Sequence, residues 1–197
     1  MRPIFFRMRL LCPIAEDEMI DVYLRAEVES DRFGEQLRGL LVRDGRDLAS
    51  SDAEYRRQLL DEHRAYDRRE GMFGGFPRDV EWHRAVLTRD ELLDVLYIDY
   101  SWWVELSGGT RHPRDAARRI RAGELTAMTA GVTAEEHEPY LGSTSELIAV
   151  TTPSYEKLVF MEGHFRLTAY ALFPERVPEE LELIVGVSAE MPSWWAF

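Results

Sequence analysis

Cysteine is nearly absent. Cys12 stands alone among 197 residues, which excludes an internal disulfide framework and a multi-cysteine zinc site. Lysine is as scarce: Lys157 is the only one, and every other basic residue is arginine, a bias that fits GC-rich coding and needs no functional cause. No run of about 18 apolar residues exists, so a membrane-spanning helix is excluded. Near the N-terminus, Arg7 and Arg9 interrupt the short apolar runs Ile4–Phe6 and Leu10–Leu11. The continuous apolar stretch of a signal peptide is therefore missing, and the chain reads as cytoplasmic, with Met8 a second candidate start. Ile4–Leu11 itself reads as a buried first strand or a frayed terminus. Positive charge is also short: 24 basic residues face 36 acidic ones, a net charge of −12. That balance disfavours broad binding to DNA, RNA or anionic lipid.

What is present divides near residues 71–80. Before that point the pattern is helical. Pro13 and the acidic turn Glu16, Asp17 and Glu18 open a first helix, with Met19, Ile20, Tyr23, Leu24 and Val28 at helical spacing. A second helix covers Phe33 to Val42 and closes at Asp44-Gly45. A third runs from about Asp52 to Arg69, with Ser51 or Asp52 as its cap. Its interleaved acids and arginines read as a solvated face laced with ion pairs rather than an anion-binding surface. Gly71 to Pro77 then breaks the helix with three glycines and a proline. The segment lacks the lysine and spacing of a P-loop and reads as a linker with aromatic anchors.

Beyond the linker, Trp82 to Leu87 reads as a strand, Asp90 to Val95 as a helical turn, and Leu96–Tyr100 as apolar with β-favouring members. The loop SGGTRHP, residues 107–113, precedes a helix over Arg114 to Arg121 that Gly123 ends. Residues 122–145 read as an inserted loop with one turn near Ala134–His137. The closing series is compact: a strand at Leu147–Thr151, a turn, a strand at Leu158–Met161, a helix from His164 to Phe173, and a strand at Leu181–Val187. The fold class is therefore α+β, with a helical region over residues 1–80 and a mixed-sheet domain over 81–197.

Charge is uneven. Residues 123–197 hold twelve acids and three bases, whereas residues 111–121 hold five arginines and one aspartate. A basic island in an acidic protein suits one small anion better than a polyanion. The most informative stretch is LVFMEGHFRLTAYAL, residues 158–172, where a strand meets a helix at Glu162-Gly163-His164-Phe165-Arg166. A helix N-terminus offers unpaired N–H groups and a positive dipole end. Gly163 lets a ligand approach the backbone, and Arg166 can fork two hydrogen bonds onto a phosphate. Glu162 and His164 flank the glycine as acid/base candidates.

This strand, acid-Gly-His-x-Arg box and helix resemble the nucleotide-binding motif of the ParB/sulfiredoxin-like superfamily. The form Glu162-Gly163-His164 is similar to that of its free serine kinases. The loop Thr110-Arg111 with the following arginine-rich helix resembles the earlier box of the same fold, and the likeness covers about residues 82–188. It implies that Gly163 and Arg166, with Thr110 and Arg111, bind the phosphates of ATP, CTP or ADP, with magnesium arriving alongside the nucleotide. It further implies that Glu162 accepts a proton from an acceptor hydroxyl and that His164 positions the phosphate or shares the proton. A catalytic cysteine stands at the His164 position in sulfiredoxins, so that thiol chemistry is not expected. Phe165 replaces a polar residue of the usual box, and residues 122–145 are longer than the usual connection. No helix-turn-helix follows, so a chromosome-partitioning role is not expected.

The leading expectation is a nucleotide-dependent phosphotransferase or nucleoside triphosphatase acting on a small molecule. The alternative is a non-catalytic sensor of a nucleotide or phosphometabolite that reports to a protein partner; a homo-oligomer is left open. Trp102-Trp103 offers a ring for base stacking, though burial is the commoner fate of tryptophan. Asp99 is a candidate magnesium ligand at a strand end. The histidines show no metal-binding spacing, and His137, amid Glu135, Glu136 and Glu138, reads as a solvated turn.

Overall fold

The computed structural model describes residues 6–143 and 146–197. Ile4 and Phe5 of the expected first strand, and residues 144–145 of the inserted loop, lie outside the described residues. The fold is α+β: the described residues form seven helices and one five-stranded mixed sheet. The strands are β1 (Arg9–Pro13), β2 (Glu81–Thr88), β3 (Leu147–Thr151), β4 (Leu158–Glu162) and β5 (Glu180–Val187), in the order β1-β2-β5-β3-β4. β5 pairs with β3 in parallel and with β2 antiparallel; β1–β2 and β3–β4 are antiparallel.

Local sequence explains most of these elements. β3 is apolar and buried along its whole length, as a strand covered on both faces must be. β1 is exposed throughout and carries Pro13; an edge strand tolerates a residue that cannot donate to the ladder. At the sheet centre, Trp82 lies opposite Gly186. A Cβ on Gly186 would approach the indole to 2.7 Å, so a residue without a side chain is what lets the tryptophan lie across β5.

Helix α1 (Glu16–Val28) begins with the three acids that favour its N-terminus, and α2 (Gly34–Asp44) ends at left-handed Gly45. The Asp52 side chain caps α3 (Ala53–Arg64) by accepting from the Tyr55 amide at 2.8 Å. α3 stops five residues before its sequence limit. Ala65 turns left-handed there, and the Asp61 carboxylate collects the amides of Asp67 and Arg68. The ion pairs of α3 reach beyond the helix rather than along it: Arg57 meets Glu16 of α1 and Asp67 of the following loop, Arg64 meets Glu27 of α1, and Glu62 meets Arg43 of α2.

The 71–77 segment carries aromatic anchors as expected. Phe73 and Phe76 are buried among Tyr23, Tyr66, Trp82 and Trp194. One contiguous core includes residues from α1 to α3 and from every strand except β1. After α4 (Arg89–Leu92), the expected extended run at Leu96–Tyr100 makes a single bridge, Leu96 to Val159 beside β4. The Trp102-Trp103 pair lies on a short helix, α5 (Ser101–Leu106), and α6 (Pro113–Ala122) starts on its proline and ends on Gly123. Finally α7 (His164–Leu172) follows β4 across Gly163 and packs on α6.

Candidate functional site

A cavity of about 970 Å³ opens at the β4–α7 turn. Three walls form it. One is the turn itself, Met161 to Arg166. The second comes from α1, the loop after it and α3, through Tyr23, Glu27, Ser30 to Phe33, and Arg64. The third comes from α5 and the inserted segment, through Trp102, Trp103, His137 and Tyr140. The helical N-terminal region therefore contributes directly to the site.

Gly163 makes the turn. Its φ of +98° belongs to the left-handed region, and a Cβ there would fall 2.1 Å from Leu147 Cδ2. The N-cap position of α7 is Gly163, which has no side chain to offer its first amides, and those amides have no acceptor within the helix. Arg166, one turn in, is buried; its guanidinium approaches Ser143 Oγ at 3.4 Å and bonds the Tyr170 hydroxyl. Burial lowers its proton affinity, while Tyr170 and the Glu162 carboxylate oppose that shift.

Glu162, at the end of β4, is half-buried. Loss of hydration pushes its pKa up to about 7, and the nearby Glu27 carboxylate adds to the rise. The Gly163 amide, Arg64 and Arg166 pull the other way. The result is a carboxyl group poised at neutral pH, the property a general base needs. Glu27 pairs with Arg64 and accepts from His63 Nε2 at 2.8 Å.

His164 is 9% exposed and stacks on Trp103 with ring centroids 5.0 Å apart. Desolvation drives its pKa down to about 3, against a hydrogen bond to the Phe160 carbonyl that favours the protonated form. The ring is neutral at physiological pH, and its Nε2 has no hydrogen-bond partner. It can position a ligand, but it holds no proton to donate as an imidazolium.

Glu162, Gly163, His164 and Arg166 thus line one cavity. Thr110 and Arg111 do not line it. Arg111 lies near enough for its charge to depress His164, but its guanidinium is occupied: Nε donates to the Tyr97 carbonyl at 2.8 Å, and the two terminal nitrogens donate to the Phe197 and Ala196 carbonyls at 2.7 and 3.1 Å. Asp99, the magnesium candidate, faces this same guanidinium at 3.8 Å. Thr110 Oγ1 donates to Asp115 at 2.7 Å and accepts from the His112 amide, which organises the start of α6. Three more arginines of the basic island are engaged: Arg114 with Asp94, Arg118 with Glu124, and Arg121 with the Leu172 carbonyl.

The sequence did not single out the second wall; of the third it offered Trp102-Trp103 as a stacking pair. His137, read as solvated, is 2% exposed and sits against Phe165 and Tyr140. Trp102 and Trp103 both line the cavity, Trp103 being buried. Trp195 reaches the same space, its indole N–H donating to the Gly71 carbonyl at 2.9 Å. Among the described residues no group of three or more His, Cys, Asp or Glu side chains is arranged to hold a metal ion, and no helix is long and apolar enough to cross a membrane. Compared with protein-family models, with curated proteins and with solved structures, the chain finds no match, so the site is interpreted from its own geometry.

Proposed function

We propose that the protein is a nucleotide-dependent enzyme of the ParB/sulfiredoxin-like kind, a small-molecule phosphotransferase or nucleoside triphosphatase. One observation carries this reading: a single cavity gathers the N-terminus of α7, a buried arginine and a carboxyl group whose pKa is about 7. In this reading the amides after Gly163 and the Arg166 guanidinium bind the phosphates. Glu162 takes the proton from an acceptor hydroxyl or water as the phosphoryl group transfers, and returns it to solvent afterwards. His164 holds position as a neutral ring. Magnesium enters with the nucleotide. Glu27, Glu29, Asp31, Glu136 and Glu162 outnumber Arg32, Arg64 and Arg166 along the walls, so a polyphosphate needs a companion cation.

The test uses two variants with ATP or CTP and magnesium. Arg166→Ala weakens nucleotide binding, by about 1.5–3 kcal/mol for hydrogen bonds to a charged group. Glu162→Gln leaves affinity nearly intact, or slightly raises it by removing repulsion, and lowers turnover by about 10²–10⁴-fold. Titration calorimetry and a phosphate-release or transfer assay read both. Unchanged turnover in Glu162→Gln removes the base from the mechanism.

A second reading, a nucleotide or phosphometabolite sensor acting through a protein partner, is favoured by Arg111. Its three carbonyl bonds leave the transferring group without the second cation that phosphoryl transfer expects. Tight binding with no turnover in wild type, whatever acceptor is offered, selects this reading.

A further inference from the structure

The inserted segment 122–145 does more than close a wall. His137 Nδ1 lies 2.8 Å from the Thr133 carbonyl. A carbonyl only accepts, so Nδ1 carries the hydrogen and Nε2 presents a lone pair. Burial lowers the pKa of the ring and keeps it neutral. That Nε2 is buried and has no hydrogen-bond partner, which costs free energy unless some donor completes it. Phe165, next to the phosphate-binding turn, packs against the His137 ring with centroids 5.8 Å apart. Phe165 is 43% exposed although four aromatic rings surround it, and it stacks on Tyr140 at 5.3 Å and 18°. His137, Tyr140 and Phe165 all line the cavity, and a side chain as exposed as Phe165 changes rotamer within nanoseconds.

Resting on the nucleotide reading above, we infer that Phe165 and Tyr140 stack the base of the nucleotide and that His137 Nε2 accepts a hydrogen bond from its exocyclic amino group. His137 is then a specificity-determining residue. A fixed acceptor attracts the amino group of adenine or cytosine and repels the carbonyl oxygen that hypoxanthine or uracil places there. The neutral Nε2–H tautomer, which would relieve that repulsion, would leave the Thr133 carbonyl without its Nδ1–H donor.

The experiment measures the affinities of ATP, inosine triphosphate, CTP and UTP, each with magnesium, for wild type, His137→Phe and His137→Gln. The phenylalanine keeps the ring wall without an acceptor; the glutamine amide can offer a donor or an acceptor. In wild type the better-bound amino nucleotide is favoured over its oxo counterpart about tenfold or more, the worth of one lost and one repelled hydrogen bond. In both variants that ratio falls toward one. Far-UV circular dichroism confirms that each variant is folded, and the glutamine variant carries the test if the phenylalanine variant is not. A wild-type ratio near one, or a ratio unchanged in the folded variants, overturns the role of His137 and leaves the nucleotide reading standing. Failure of all four nucleotides to bind wild type overturns both.

Discussion

Glu162 and His164, two residues apart, titrate against each other. The folded protein keeps Glu162 protonated up to about pH 7, whereas an ordinary glutamate loses its proton near 4.5. Between those values the folded state holds the extra proton, so this group lowers stability as pH rises. His164 does the opposite. Its pKa of about 3 in the fold, against an ordinary 6.5, makes the unfolded chain hold the extra proton, so stability is lost as pH falls from 6.5 toward 3. Glu162→Gln removes the first effect alone. Its melting temperature, measured against wild type, should therefore climb between pH 4 and 8; a difference independent of pH means that the carboxyl is not raised. The four cavity residues of the 162–166 box were legible because a strand running into a helix across a glycine is a local signal. Arg111 was not. Its identity as a loop arginine suggested an anion, but the carbonyls that occupy it lie 85 and 86 residues away, which no local pattern displays. Accordingly Arg111→Ala should cost about 1–3 kcal/mol, the price of leaving buried carbonyls without their donor. It should leave the nucleotide affinity of the remaining folded protein unchanged. A denaturant titration and calorimetry separate the two effects.

Among the elements, strands were legible where burial makes them uniformly apolar, as in β3 and β4, and helices where a cap or a glycine punctuates them, as in α2, α3 and α6. α5 was hidden. Trp102, Trp103 and Val104 favour strands by type, yet they form one and a half helical turns whose rings meet Tyr97, His164 and Phe165. Tertiary packing overrides their propensity. The turn between β4 and α7 is the element most exposed to a single change. Gly163→Ala meets two obstacles: a positive φ, which costs a residue with a side chain about 1–3 kcal/mol, and the clash with Leu147. Measured again in a Leu147→Ala background, the substitution should lose the steric part and keep the backbone part. Equal costs in both backgrounds would mean that Leu147 does not constrain the turn.

At the scale of the whole molecule, the helices before residue 71 and the strands β2 to β5 after it share one core. Tyr23, Tyr66, Phe73, Phe76, Trp82 and Trp194 form a continuous chain of rings between them. The boundary visible in composition is thus bridged by packing that composition cannot report. Thermal unfolding should be a single transition, with the far-UV helix signal and the near-UV tryptophan signal lost together; a helical signal that melts first would refute this. The sheet order has a consequence in time. β5 is the last strand along the chain but the middle one in space, flanked by β2 and β3. As a chain emerges from the ribosome, residues 180–187 come after every other strand, and until then β1–β2 and β3–β4 are two fragments with open inner edges. Unpaired edges of this kind recruit other chains. A nascent chain halted before residue 180 therefore lacks the seam of its sheet, and its safety depends on whatever shields those two edges until β5 arrives.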